Sequence, residues 1–99
     1  MRLHEIAHAR TGDKGNLVNI ALIAYRADDF SRMEEQVTTE KVREHFGDLI
    51  EGGVERYSLP HMGALNFVLR RPESQSVTRS LALDAHGKCL GSALLMMEI

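Results

Sequence analysis

The segment His8-Ala9-Arg10-Thr11-Gly12-Asp13-Lys14-Gly15-Asn16 runs straight into Leu17-Val18-Asn19-Ile20-Ala21-Leu22-Ile23-Ala24-Tyr25. The first half is dense in polar groups: a histidine, two cations, a carboxylate, a hydroxyl and an amide. Two glycines flank Asp13-Lys14, and glycine accepts positive φ at little steric cost, so residues 10–16 read as a loop with a tight turn. The second half is apolar on both faces apart from Asn19, which predicts a strand over 17–26 covered on both sides. Asn19 inside such a run needs hydrogen-bond partners and is expected to bond into the neighbouring loop. The loop has two readings. It holds an anion or a carbonyl-bearing ligand, or a partner surface; or it is a hairpin whose charges face water.

Outward from this segment, residues 2–9 alternate poorly and predict only a weak strand. Ala27 to Gln36 predicts a short helix, within which Ser31 and Glu34 have capping-box spacing. Val37-Thr38 predicts the next helix entry, with Thr38 as N-cap and Val37 stapled to Val42. Glu40 then lies near the positive end of the helix dipole. Val42 and Phe46 mark its apolar stripe, and Gly47 its stop, with a further turn through Leu49 and Ile50. Val54 to Leu59 predicts a strand with Tyr57 and Leu59 on one face, ended by Pro60. Across 62–70, the pairs Ala64/Val68 and Leu65/Leu69 favour a short buried helix, and a strand stays open as the alternative. Val77 to Asp84 predicts a strand carrying Arg79 among apolar neighbours, where it reaches an edge or meets an anion. Leu90, Ala93, Leu94 and Met97 predict a C-terminal helix, weakened by Gly91. Strands and helices intermix, giving an α+β two-layer sandwich: a mainly antiparallel sheet with helices on one face, in a single domain over 1–99.

Composition narrows the function classes. The chain has 99 residues, a net charge of −2 and 5% aromatics. Nothing in that recruits nucleic acid, either through a basic field or through stacking platforms. No apolar run approaches the roughly 20 residues of a spanning helix and no apolar leader opens the chain, so the expectation is a cytoplasmic protein with no membrane role. Cys89 is the sole cysteine, which excludes an intrachain disulfide framework. His4, Glu5 and His8 lack a second cluster at zinc-like spacing, and Gly12 to Gly15 has neither Walker nor dinucleotide spacing, so no metal and no cofactor is expected.

The same blocks carry a family resemblance. His8 to Gly15 with Asn19-Ile20, then Val54-Glu55-Arg56-Tyr57, Leu59-Pro60, Gly63-Ala64-Leu65-Asn66-Phe67 and Val77-Thr78-Arg79-Ser80-Leu81, resemble in order and spacing the small ferredoxin-fold domain of the AtuA-like (acyclic terpene utilisation) family. The resemblance implies a ferredoxin-like fold and a separately encoded larger AtuA-like subunit as partner. It also implies a place in the catabolism of branched or terpenoid acids as CoA thioesters. Glu73-Ser74-Gln75-Ser76 stands where the family's pattern leads one to expect a Gly-rich loop, so close backbone approach of a phosphate there is disfavoured.

The candidate site follows. His8, Asp13 and Lys14 are the catalytic candidates: a proton relay near neutral pH, a base and a point charge. Arg10, Thr11, Asn16, Asn19, Asn66 and Arg79 are the ligand-binding candidates, Arg10 with a planar fork for a carboxylate, phosphate or thioester oxygen. Three functions are open: an accessory subunit lending loop 8–16 to a ligand site or partner interface; a small homo-oligomeric enzyme for an acyl-CoA or carboxylate, with sites between subunits; and a structural module without a ligand. Self-association is expected, because small domains gain core by assembling.

Overall fold

Ala7–Lys14 (β1) and Leu17–Ala24 (β2) pair antiparallel along their whole length in the computed structural model, which describes residues 1–72 and 90–99. The pair Lys14/Leu17 leaves only Gly15 and Asn16 in the loop. Gly15 has φ +64° and Asn16 does not have positive φ, the pattern of a type II′ hairpin turn. The expected loop over 10–16 therefore shrinks to its last two residues. Gly12, read as part of a turn, lies within β1 opposite Asn19.

Both strands are amphipathic across the hairpin. Val18, Ile20 and Leu22 are fully buried, while Leu17 is 39% exposed, Asn19 is exposed and Ala21 and Ile23 are half-buried. The expectation that β2 is covered on both sides is therefore corrected, as is that of a buried Asn19. The helices that contact β2 lie on one side of it, so its second apolar row is left outside.

The chain then builds the cover. Helix α1 (Ala27–Gln36) buries Phe30 and Met33. It starts from Arg26, so the Ser31/Glu34 spacing falls inside the helix and caps nothing. Helix α2 (Thr39–Phe46) begins as expected: the Thr38 hydroxyl accepts from the Lys41 backbone N–H at 3.2 Å, satisfying one of the helix's orphan donors. Val37 and Val42 are both fully buried. Gly47 closes the helix at φ +54°, and a single 3-10 turn follows over Gly47–Leu49.

Glu55–Leu59 (β3) and Ala64–Arg70 (β4) complete the sheet, with a 3-10 turn over Pro60–Met62 between them. The sheet order is β1-β2-β4-β3, every pairing antiparallel. The favoured helix over 62–70 is overturned. Leu65, Phe67 and Leu69 alternate inward, and β4 takes ladder partners on both edges, which a helix there would forgo.

At the start of the chain, the weak strand expected over 2–9 holds only from Ala7, where β1 opens, and Leu3–Glu5 forms a 3-10 turn instead. Its backbone is held by the C-terminal segment, with Leu3 N–H donating to Met97 O and His4 N–H to Leu95 O, both at 2.9 Å. The C-terminal helix α3 (Leu90–Leu94) stops short of Met97, because the backbone tightens into turns at Met96 and Met97 to reach a bridge between Arg2 and Glu98. The expectations for Glu73–Ser76, Val77–Asp84 with Arg79, and Cys89 lie outside the described residues.

The result is an α+β two-layer arrangement with helices on one face of an antiparallel sheet, as expected. Its core joins Leu3, Ile20, Leu22, Met33, Val42 and Phe67, all fully buried. Replacing Thr38 by Ala removes the α2 cap and should cost about 1 kcal/mol, a fall in Tm on the order of 4–8 °C. Thermal unfolding of Thr38→Ala beside Thr38→Asn, which keeps an acceptor, checks this.

Candidate functional site

Residues directly opposite one another in an antiparallel sheet point to the same side, so the register sorts the candidate residues. On the side away from the helices, four rungs run from β1 to β3. The first is His8, Ile23, Ala64, Leu59; the second Arg10, Ala21, Asn66, Tyr57; the third Gly12, Asn19, Val68, Glu55. The last joins Lys14, Leu17 and Arg70. Among the candidates, His8, Arg10, Lys14, Asn19 and Asn66 thus share one sheet face. Arg10, Lys14 and Asn19 are exposed on it, and His8 and Asn66 are half-buried. The His8 ring stacks on Tyr25, centroids 5.3 Å apart and planes inclined at 25°.

Two candidates are turned the other way. Thr11 and Asp13 pair with Ile20 and Val18 on the helix-facing side. Asp13 Oδ1 accepts from Arg71 Nη2 at 3.2 Å, and the Arg71 side chain is only 6% exposed against 39% for Asp13. A buried guanidinium requires such a partner. Asp13 is thus engaged in a structural ion pair on the face opposite His8 and Lys14, and it is not poised as their base. Asn16 sits in the turn, where its carbonyl accepts from the Arg71 backbone N–H at 2.7 Å. One arginine therefore fastens the hairpin tip to the end of β4 twice. His8 and Lys14 lie six positions apart on one strand, about 20 Å at the strand rise, too far to act on one atom.

The face also holds residues that sequence reasoning passed over. Tyr57 is 50% exposed, and its hydroxyl donates to Glu55 Oε2 at 2.6 Å. That hydrogen bond, then the Glu55 charge, hold the phenol above its ordinary pKa of 10.0. The signal was available: Glu55 and Tyr57 alternate with Arg56, and Arg56 turns inward to donate to the carbonyls of Glu34 and Val37. Arg70 joins the basic end of the face, and a cavity of about 200 Å³ beside it is lined by Leu17, Glu51, Gly52, Glu55 and Val68. A larger cavity, about 450 Å³, lies elsewhere, between α2 and the C-terminal segment at Lys41, His45 and Glu98. Among the described residues, no three His, Cys, Asp or Glu side chains converge on a metal position. No helix among them is long and apolar enough to cross a membrane.

This arrangement, a one-sided antiparallel sheet with its polar β1 row outward, meets the comparison with known families. A family model for the AtuA ferredoxin-like domain matches residues 1–99. The chain belongs to this family. No curated protein and no solved structure matches it. The AtuA ferredoxin-like domain is thereby the fold unit in which the face described above is displayed, and the ferredoxin-like expectation holds for the whole chain.

Two outcomes follow from the sorting of side chains. Asp13→Ala removes a charged hydrogen-bond partner of the buried Arg71 and should destabilise by about 1–2 kcal/mol, whereas Lys14→Ala, pointing to solvent, should stay within about 0.5 kcal/mol of the parent; denaturant unfolding separates them. In an ultraviolet pH titration, Tyr57 should ionise above its ordinary value, and Glu55→Gln should lower that midpoint by removing the carboxylate's charge.

Proposed function

We propose that this domain is an accessory subunit in an AtuA-like system for breaking down branched or terpenoid acyl-CoA compounds, and that it works through the exposed face of its sheet. The observation that carries the reading is the convergence of His8, Arg10, Lys14, Asn19 and Asn66 on that one face. These side chains stand on separate rungs of an open four-stranded sheet. Cations and amides spread over an open surface suit assembly, where many weak polar contacts act together; an enclosed pocket suits turnover of a small molecule. Family membership and resemblance supply the metabolic setting. Chemistry on the thioester belongs in this reading to the larger AtuA-like subunit, because the catalytic candidates here are separated: Asp13 faces the helices and His8 stands about 20 Å from Lys14. The same separation weighs against a self-sufficient enzyme built from this chain's own acid–base set.

Co-expression with the larger AtuA-like chain of the same genome tests the proposal. The two chains should co-purify at fixed stoichiometry, and the double variant Arg10→Glu/Lys14→Glu should lose the complex while keeping the circular dichroism of the parent. Acyl-CoA should raise the Tm of the complex, by roughly 2.7 kcal/mol of added stability at about 100 times the dissociation constant, and leave the isolated chain unmoved. Failure of the chains to associate overturns the proposal.

A further inference from the structure

A further cavity, of about 270 Å³, lies at the end of the sheet where β2 leaves for α1. Ala24 and Phe30 form one wall, and the 3-10 turn at Pro60, His61 and Met62 forms the other. Ala24 pairs with the buried Ala7, so its wall belongs to the helix side of the sheet, away from the row of His8, Arg10 and Lys14. Backbone bonds tie the two walls together: the Ala24 N–H donates to Gly63 O at 2.9 Å, and the Gly63 N–H to Pro60 O at 3.0 Å.

Charge sets this cavity apart. The cavity of about 450 Å³ carries Glu44 and Glu98, and that of about 200 Å³ carries Glu51 and Glu55. Here the ionisable side chains are Arg26 and His61, and no described carboxylate lines the space. Asp28 and Asp29 follow in α1, but each helical residue turns by about 100°, which carries them round from the side on which Ala27 and Phe30 line the cavity. Arg2, Arg43, Arg56 and Arg71 are each engaged by a carbonyl or carboxylate of the chain. The side chains of Arg26 and His61 form no hydrogen bond or ion pair with any described residue. The rest of the lining is apolar: Phe30 is 8% exposed, and Met62 is 66% exposed. Cationic donors beside an uncovered apolar wall are the complement of an amphiphilic anion.

We propose that this cavity binds a small aliphatic carboxylate, its head held by Arg26 and His61 and its tail laid against Phe30, Pro60 and Met62. The guanidinium fork takes both carboxylate oxygens, and the imidazole N–H donates to one of them. The flexible thioether of Met62 adapts to the tail. The volume lies just below the roughly 300–1,000 Å³ of sites for drug-sized ligands, which limits the ligand to a short chain. A CoA thioester exceeds it and has no free carboxylate. The site shares no residue with the outer sheet face.

Titration of the isotope-labelled chain with hexanoate, followed by amide NMR, tests the proposal. The amides of Ala27, Phe30 and Gly63 should shift and saturate, while those of Arg10 and Lys14 stay in place. Acetate lacks the tail and hexanol lacks the charge, so each should bind more than about tenfold more weakly. Arg26 is exposed, so Arg26→Gln should fold as the parent does. It should lose more than about tenfold in hexanoate affinity, the equivalent of about 1.4 kcal/mol. Ala24→Leu fills the space from the sheet side and should abolish the shifts. Should that variant fail to fold, Met62→Ser at its exposed position should weaken hexanoate and leave acetate unchanged. Absence of any shift, shifts confined to the outer sheet face, inorganic phosphate binding as tightly as hexanoate, or undiminished binding by Arg26→Gln overturns the proposal.

Discussion

A two-residue turn governs this molecule. Gly15 and Asn16 close the hairpin with Lys14 opposite Leu17, and that pairing sets every later rung. Side chains in a strand alternate with period two, so a slip of one residue would put His8, Arg10 and Lys14 on the same side as Val18, Ile20 and Leu22, either turning the polar row into the helix layer or exposing the apolar one. The apolar row of β2 forbids the slip. Arg71 adds a second restraint, taking the Asn16 carbonyl with its backbone and Asp13 with its side chain. The composition of the exposed face is thus a consequence of register before it is a matter of function.

The helix layer answers to the same register from the other side. Phe30, Met33, Val42 and Phe46 fill the space over the inward rows of the sheet. Arg56 couples the two layers, donating to the carbonyls of Glu34 and Val37 at 2.7 and 3.0 Å. Those carbonyls belong to the end of α1 and the residue after it, where a helix leaves acceptors unpaired. The inward positions of β3 are therefore partly polar, and its outward ones are Glu55, Tyr57 and Leu59. An outward tyrosine beside a carboxylate suits an interface better than a solvated edge, since aromatic rings are enriched where surfaces are covered.

What could be read in the sequence divides along physical lines. The cap at Thr38, the burial of Val37 and Val42 on either side of it and the stop at Gly47 are local chemistry, settled within a few residues, and they were legible. β4 was misread because Ala64/Val68 and Leu65/Leu69 are spaced by four. Residues four apart share a face in a strand as well as in a helix, so these pairs cannot distinguish the two. Phe67, midway between Leu65 and Leu69 and buried with them, was the informative residue. The site was half legible. His8, Arg10, Lys14, Asn19 and Asn66 were named and do share a face, but Asp13 and Thr11 were grouped with them by closeness in sequence. Treating 10–16 as a loop hid the alternation that sends odd and even positions to opposite sides. Glu55 and Tyr57 were missed because their meaning comes from β4, which carries them onto the face of β1 and β2.

The placement of β2 in the interior of the sheet also bears on how the chain reaches this state. Its first partner, β1, is two residues away, whereas Ile23 must wait for Ala64 and Leu17 for Arg70. Loop closure makes the distant pairing the slower one. During synthesis the hairpin therefore stands for a time with the far edge of β2 unpaired, a nearly continuous apolar strand open to any other chain. Asn19 interrupts that strand at its middle. A polar side chain which adds nothing to the finished core thus acts earlier, by making the nascent edge a poorer template for aggregation.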